Sequence, residues 1–372
     1  MNSKLAYAPI ILAASLIVAA CGAGAESSPN AVGIASRRTV TGQWEVPGDH
    51  DGRHLGIDVN EAGNMNFDHA FEIARDAGID FVSLTIYWDA FEITHGEYAP
   101  DVNWLEIANS YYSANDVDIA LVIAPIDTNV LHTPDDLEGA PFDDPFMIAR
   151  FQSFLDYVLG KLDSVELLAI SIGNEIDVFL GSDQPAWDSY RTFYGESAKY
   201  IHALDPGYKV GVKSTFNGLV HDHVTELNGM NENSDLILTT YYPLGPDFLV
   251  RPPDAVFNDF DLLTLRAGSK PIYFLEIGYP SSTKLGSSEQ AQAEFVDNAF
   301  KAWDMHAEQI GALNFTWLHD IPYSQVKDFA DYYGITSGNF SAYLATLGLR
   351  RSDGVDKQAF IRLKAGAVAR GW

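Results

Sequence analysis

The chain of 372 residues carries a single cysteine, Cys21, so no intrachain disulfide can form. Basic residues are scarce as well: 23 Lys and Arg stand against 51 Asp and Glu, a formal charge of −28. Phosphate binding needs a basic face, so this balance argues against nucleic acid as a partner. It argues more weakly against a polyanionic ligand, because one pocket can differ from the whole surface; the simplest consequence of the acidity is solubility. There is no low-complexity tract and no heptad. The first candidate strand ends in Gly56-Ile57-Asp58-Val59, which supplies no Gly-rich phosphate turn and counts against an open, doubly wound sheet. The run His221-Asp222-His223 falls in a polar turn, not among strand ends, and reads as surface rather than a metal pair. No metal and no cofactor is expected.

What is present begins with an apolar amino terminus. Lys4 precedes an apolar run from Leu5 to Ala20, followed by Cys21-Gly22. A basic start, an apolar middle and small residues before a cut form a secretory signal. Val18-Ala19-Ala20-Cys21 resembles the bacterial lipoprotein box, and that resemblance implies lipidation of Cys21 and a secreted lipoprotein of the outer membrane or cell surface. An uncleaved membrane anchor is the alternative. Residues 1–20 are thus expected to be a signal peptide. Residues 21–50, rich in Gly, Ser and Pro, are expected to be a flexible tether, and residues 51–372 one domain. The membrane is expected to be touched through the lipid alone, and the protein to be a monomer.

From residue 54 onward, short β-rich runs alternate with helical patterns. The candidate strands are HLGIDV at His54, DFVSLTIY at Asp80, DIALVIAPI at Asp118, LLAISI at Leu167, KVGVKS at Lys209, DLILTTYY at Asp235, IYFL at Ile272 running into Glu276, and IGALNFTW at Ile310. Between them fall helical stripes, among them Phe67, Ala70, Phe71 and Ala74 behind a capping Asn66, and Met147, Phe151, Phe154, Leu155, Val158 and Leu162. Ser287 and Gln290 have capping-box spacing for a later helix. Eight such alternations predict an α/β fold, a single (β/α)8 TIM barrel.

Barrel active sites lie at the carboxyl ends of the strands. Those ends carry Asp58 and Asn60, Tyr87 and Trp88, Asp127 and Asn129, Asn174 and Glu175, Lys213 and Thr215, Tyr241 and Tyr242, Glu276, then Trp317 and His319. Carboxylates, amides and aromatic rings are what a sugar needs, because its C–H faces stack on rings and its hydroxyls need bidentate partners. Breaking an acetal requires a proton for the departing oxygen and a base or nucleophile across the anomeric carbon. Glu175 after strand four and Glu276 after strand seven come from opposite sides of such a barrel and can supply the two. Retaining enzymes hold these carboxyls about 5–5.5 Å apart and inverting ones about 6.5–9.5 Å apart.

Gly173-Asn174-Glu175, together with Glu276-Ile277-Gly278-Tyr279-Pro280-Ser281 and Tyr241-Tyr242-Pro243, resembles clan A of the retaining glycoside hydrolases, nearest in motif to the endo-β-1,4-galactanase and β-1,3-glucanase branches. The resemblance implies Glu175 as acid/base and Glu276 as nucleophile. It further implies Asn174 on the sugar 2-hydroxyl, Tyr241 or Tyr242 orienting the nucleophile, and Trp317 flooring a subsite. Trp88, Trp187, Tyr279 and His319 are expected near the mouth. Many clan members carry an arginine on strand two that supports the nucleophile; here Ser83 and Thr85 stand in that strand. A non-catalytic glycan-capturing lipoprotein, a transglycosylase on the same residues, and a metal-dependent barrel hydrolase are the competing readings. Tyr323, Phe329, Tyr332 and Tyr333, in the loop after strand eight, are expected to wall a glycan.

Overall fold

A computed structural model describes residues 46, 48–63, 65–100 and 102–372. The signal, Cys21 and nearly all of the tether lie outside the described residues. Eight parallel strands form the barrel: β1 (His54–Ile57), β2 (Phe81–Tyr87), β3 (Asp118–Asp127), β4 (Leu167–Asn174), β5 in two segments (Val210–Gly211 and Lys213–Thr215), β6 (Ile237–Tyr241), β7 (Ile272–Ile277) and β8 (Ile310–Phe315). Neighbours pair in chain order. The first segment of β5 pairs with β4 and the second with β6. β8 returns to β1 in register from His54–Ala312 to Ile57–Phe315, which closes the ring.

The helices that follow the strands are α1 (Phe67–Arg75), α2 (Trp104–Ser113), α3 (Pro145–Lys161), α4 (Gln184–Leu204), α5 (Val224–Asn231), α6 (Ala255–Ala267), α7 (Glu289–Met305) and α8 (Gln358–Val368). Asn66 caps α1, its side-chain oxygen accepting from the His69 amide at 3.0 Å. The cap of α7 is Ser288, not Ser287: its hydroxyl accepts from the Ala291 amide at 3.1 Å. Two apolar layers follow from strand alternation. Phe81, Val122, Leu168, Leu238, Tyr273 and Leu275 fill the barrel interior, while the helix stripes pack on the outward-facing strand residues.

Two features went beyond the sequence expectation. A small hairpin, Glu92–Thr94 with Glu97–Tyr98, follows β2. The connection from β8 to α8 contains two helices, Tyr323–Tyr333 and Gly338–Leu344. At the amino-terminal side the His50 ring stacks on Trp372 at 5.0 Å, and Arg53, which bonds the His50 carbonyl at 2.9 Å, pairs with Asp304.

Candidate active site

Two local distortions aim the glutamates. In β7 the register against β6 runs Thr239–Phe274 and then Thr240–Glu276, so Leu275 is an extra residue, a bulge. Strict alternation would send Glu276 outward, because Leu275 already faces the interior. The bulge turns both inward, the use that bulges commonly serve beside sites. At the end of β4 the chain takes left-handed turns at Gly173 (φ 92°) and Glu175 (φ 45°). For a residue with a Cβ this conformation costs about 1–2 kcal/mol, and it lies at a position where strain commonly accompanies function. A Cβ on Gly173 would overlap Ile176 and the Tyr190 hydroxyl.

Glu175 is 0% and Glu276 1% exposed. Glu175 is held by neutral hydroxyls: Thr240 donates to Oε1 at 2.6 Å and Thr128 to Oε2 at 3.0 Å. Burial first, and then the nearby charge of Glu276, push its carboxyl up to about 8. Glu276 sits in the opposite environment. The Lys213 ammonium pairs with Oε1, and the Tyr242 hydroxyl donates to Oε2 at 2.6 Å. One carboxyl is therefore placed to keep its proton and the other is placed as an anion.

Asp58, at the end of β1, is a third buried carboxyl. It accepts from Asn314 at 2.5 Å and Thr316 at 3.0 Å. Burial and then the charge of Glu276 raise it to about 7. On the other side of Glu175, Asn174 donates to Asp127 at 2.5 Å. Asp127 also accepts from Tyr87 at 3.0 Å and Tyr332 at 2.6 Å. The His132 ring stacks on Tyr87 at 4.0 Å and links Tyr332 to Asp89.

Tyr332 belongs to the helix Tyr323–Tyr333, so this network latches the β8–α8 connection onto the end of β3. Asn129 adds a bond to the Tyr333 carbonyl at 2.9 Å. Tyr333 and Tyr343 lie within electrostatic reach of both glutamates. Trp317, joined to Thr316 by a cis peptide bond, packs with Tyr242, Tyr333 and Tyr343 in one cluster and faces Phe329 at 5.9 Å. The tyrosine-rich connection thus closes over the carboxyls.

Several expected site residues lie elsewhere. Tyr241 points outward and donates to Asp259 at 2.7 Å, because it alternates with Thr240 and Tyr242. Trp88 is in the layer between barrel and helices, its indole donating to Glu92 at 2.6 Å and its ring packed on Phe151 and Phe154. His319 is locked in a clasp. It shares a 2.7 Å contact with the Asn60 carbonyl and a 3.0 Å contact with Arg350, and burial lowers it to about 4. A neutral ring that donates to Asn60 and accepts from Arg350 fits a structural role. Trp187 and Tyr279 are buried against carbonyls of Gly181 and Arg251. His223 packs near Trp187, and His221 lies edge-on to Phe216. The partners missed in the sequence are Thr128 and Thr240, while Lys213 was named at a strand end without a role. The lysine had a signal, since an ammonium in an otherwise apolar strand requires a partner.

No family model matches the sequence, and no curated protein matches it. Solved structures do match in shape. The exo-β-1,4-mannosidase Op5Man5 from Opitutaceae bacterium strain TAV5 aligns with TM-score 0.63 and 16% identity over 87% of this chain; the chain spans only 61% of that protein. A GH5_18 protein from Streptomyces cattleya, solved with GlcNAc, aligns with TM-score 0.64 and 14% identity, covering 86% of this chain and 80% of that one. The GH53 catalytic domain of Ignisphaera aggregans aligns with TM-score 0.61 and 16% identity, covering 86% and 97%. At these identities the similarity establishes the (β/α)8 barrel that this chain shares with them.

Proposed function

We propose that the chain is a retaining glycoside hydrolase acting on an oligo- or polysaccharide, with Glu276 as nucleophile and Glu175 as acid/base. The observation that carries the reading is the contrast between two buried glutamates at the ends of β4 and β7. One is held by hydroxyls and raised to about 8; the other is held by an ammonium and a phenol. The reaction needs that division of protonation between its two carboxyls. The barrel neighbours described as an exo-β-1,4-mannosidase and as a GH53 catalytic domain support the same reading.

In the first step a Glu276 oxygen forms a bond to the anomeric carbon while the bond to the leaving oxygen breaks, and that oxygen takes the proton of Glu175. In the second, water returns a proton to Glu175 and delivers its hydroxyl to the anomeric carbon, releasing Glu276. Asn174 and Asp127 are placed beside the acid, where sugar hydroxyls would find an amide and a carboxylate. Because both glutamates are buried, a sugar enters only when the connection carrying Tyr332, Tyr333 and Tyr343 parts from the mouth.

A panel of aryl glycosides and polysaccharides tests the reading. Glu276→Gln abolishes turnover on whichever substrate the wild type cleaves, and Glu175→Ala is rescued by azide on an aryl glycoside with a good leaving group. Full activity in either variant would dismiss the assignment. We also propose lipid attachment at Cys21, which has its own test: Cys21→Ser moves the protein from the membrane fraction to the soluble fraction.

A further inference from the structure

Among the described residues, the buried cations Arg53, Arg150, Arg350, Lys357 and Arg370 pair with Asp304, Glu92, Asp356, Asp320 and again Asp304, carboxylates outside the glutamate pair. Lys213 differs because its partner is Glu276. Three buried carboxyls share its field: Glu276 by contact, Asp58 and Glu175 through space. An isolated charge is very costly to bury, whereas a paired one is tolerated. One ammonium therefore supports one carboxylate among the three.

The strand is built to place it. The ladder between β4 and β5 stops after Ser171–Gly211. At the break the Lys213 amide donates to the Ser171 hydroxyl at 2.9 Å, and that hydroxyl donates to the Gly173 carbonyl at 2.7 Å. On its other side Lys213 pairs with Leu238, a barrel-interior residue. Ser171, the only hydroxyl in the apolar run of β4, thereby joins the lysine to the turn that carries Glu175.

We propose that Lys213 is a positioning residue for the reaction, supplying from β5 the counter-charge that makes Glu276, rather than Asp58 or Glu175, the ionised and oriented carboxylate. The inference rests on the reading of Glu276 as nucleophile. The groups facing Glu276 include Asp58 from β1, Glu175 from β4, Lys213 from β5, Tyr242 after β6, and Tyr333 and Tyr343 from the β8–α8 connection. Lys213 alone among these brings positive charge. Without it, Glu276 faces two carboxyls and three phenols and binds a proton more readily.

The test is the pH profile of kcat/KM for Lys213→Met and Lys213→Gln beside the wild type, on a substrate the wild type turns over. Glu276→Gln is assayed in parallel, and folding is checked by circular dichroism and melting. The expected result in whichever neutral variant folds is a loss of about 100-fold or more at pH 6, as fits losing a bond to a charged group. The acid limb moves up by about two pH units, the deficit shrinks as pH rises, and KM changes little. If the variants keep wild-type kcat/KM and the wild-type acid limb while Glu276→Gln is dead, the inference fails and the nucleophile assignment stands. Lost activity with an unmoved acid limb also overturns it, because Lys213 would then be holding only the fold. Activity in Glu276→Gln would instead remove the underlying reading.

Discussion

Thr240 and Tyr242 stand at the end of one strand and serve different carboxyls. Thr240 donates to Glu175 at 2.6 Å, and Tyr242 donates to Glu276 at 2.6 Å. Tyr241, between them, faces the opposite way and holds Asp259 at 2.7 Å. Strand alternation therefore sorts three adjacent side chains into a bond to Glu175, a bond to Asp259 and a bond to Glu276.

The two tyrosines separate in kinetics. Tyr242→Phe removes a hydrogen bond to a charged group, worth about 1.5–3 kcal/mol, and lowers kcat by roughly 10- to 100-fold. Tyr241→Phe leaves kcat/KM within about threefold, because Arg251 still pairs with Asp259; it lowers stability by about 1 kcal/mol. Steady-state kinetics and thermal melts of both variants check this.

Glu175 links activity and stability to pH in the same direction. Its folded carboxyl is raised to about 8 from an ordinary value of 4.5. The acid form is lost as pH rises through that value, so kcat/KM falls on the alkaline side near pH 8. Between about 4.5 and 8 the folded chain keeps a proton that the unfolded chain releases, so this group makes stability fall with rising pH. Glu175→Gln has no such proton to lose. It is inactive, melts above the wild type at pH 8, and the gain fades toward pH 4. Melting curves across that range test the sign.

The latch over the mouth is the third consequence. Tyr332→Phe loses its bond to Asp127, and Asn129→Ala loses its bond to the Tyr333 carbonyl. Both variants open the connection more often, and hydrogen exchange in residues 323–344 quickens by several-fold while β7 amides are unchanged. Unchanged exchange in the connection would mean that these bonds do not hold it.

Much of this was legible in the sequence for a physical reason. Continuous apolar runs and i, i+3, i+4 stripes report burial directly, so eight strands and their helices stood out, and Glu175 and Glu276 lay at strand ends. The turn of Gly173-Asn174-Glu175 was visible as an apolar run stopping at a glycine. What could not be read depends on register. The bulge at Leu275 decides that Glu276 faces inward, and alternation around Thr240 decides between Tyr241 and Tyr242. Trp88 and His319 follow strand ends in sequence but turn into the helix layer and into the Asn60 clasp, and no local pattern records that. The helices within the β8–α8 connection were hidden by a largely polar sequence, which packs through a few scattered residues, Val326, Tyr333, Phe340, Tyr343 and Leu344.

Gly173 supplies a prediction about the turn itself. Gly173→Ala places a Cβ against Ile176 and the Tyr190 hydroxyl in a left-handed conformation. We expect a loss of about 2–4 kcal/mol in stability and a fall in kcat beyond what the remaining folded fraction explains, because Glu175 is displaced. Chemical denaturation and active-site titration separate the two effects.

The central claim is that Glu276 attacks the sugar, and trapping the intermediate tests it most directly. The wild type is incubated with 2-deoxy-2-fluoro glycosides of the sugars it cleaves, then digested, and the labelled peptide is sequenced by mass spectrometry. The account predicts one added glycosyl group per chain, on Glu276, and none in Glu276→Gln. A label on Glu175, Asp58 or Asp127, or first-released product of inverted anomeric configuration, would contradict it.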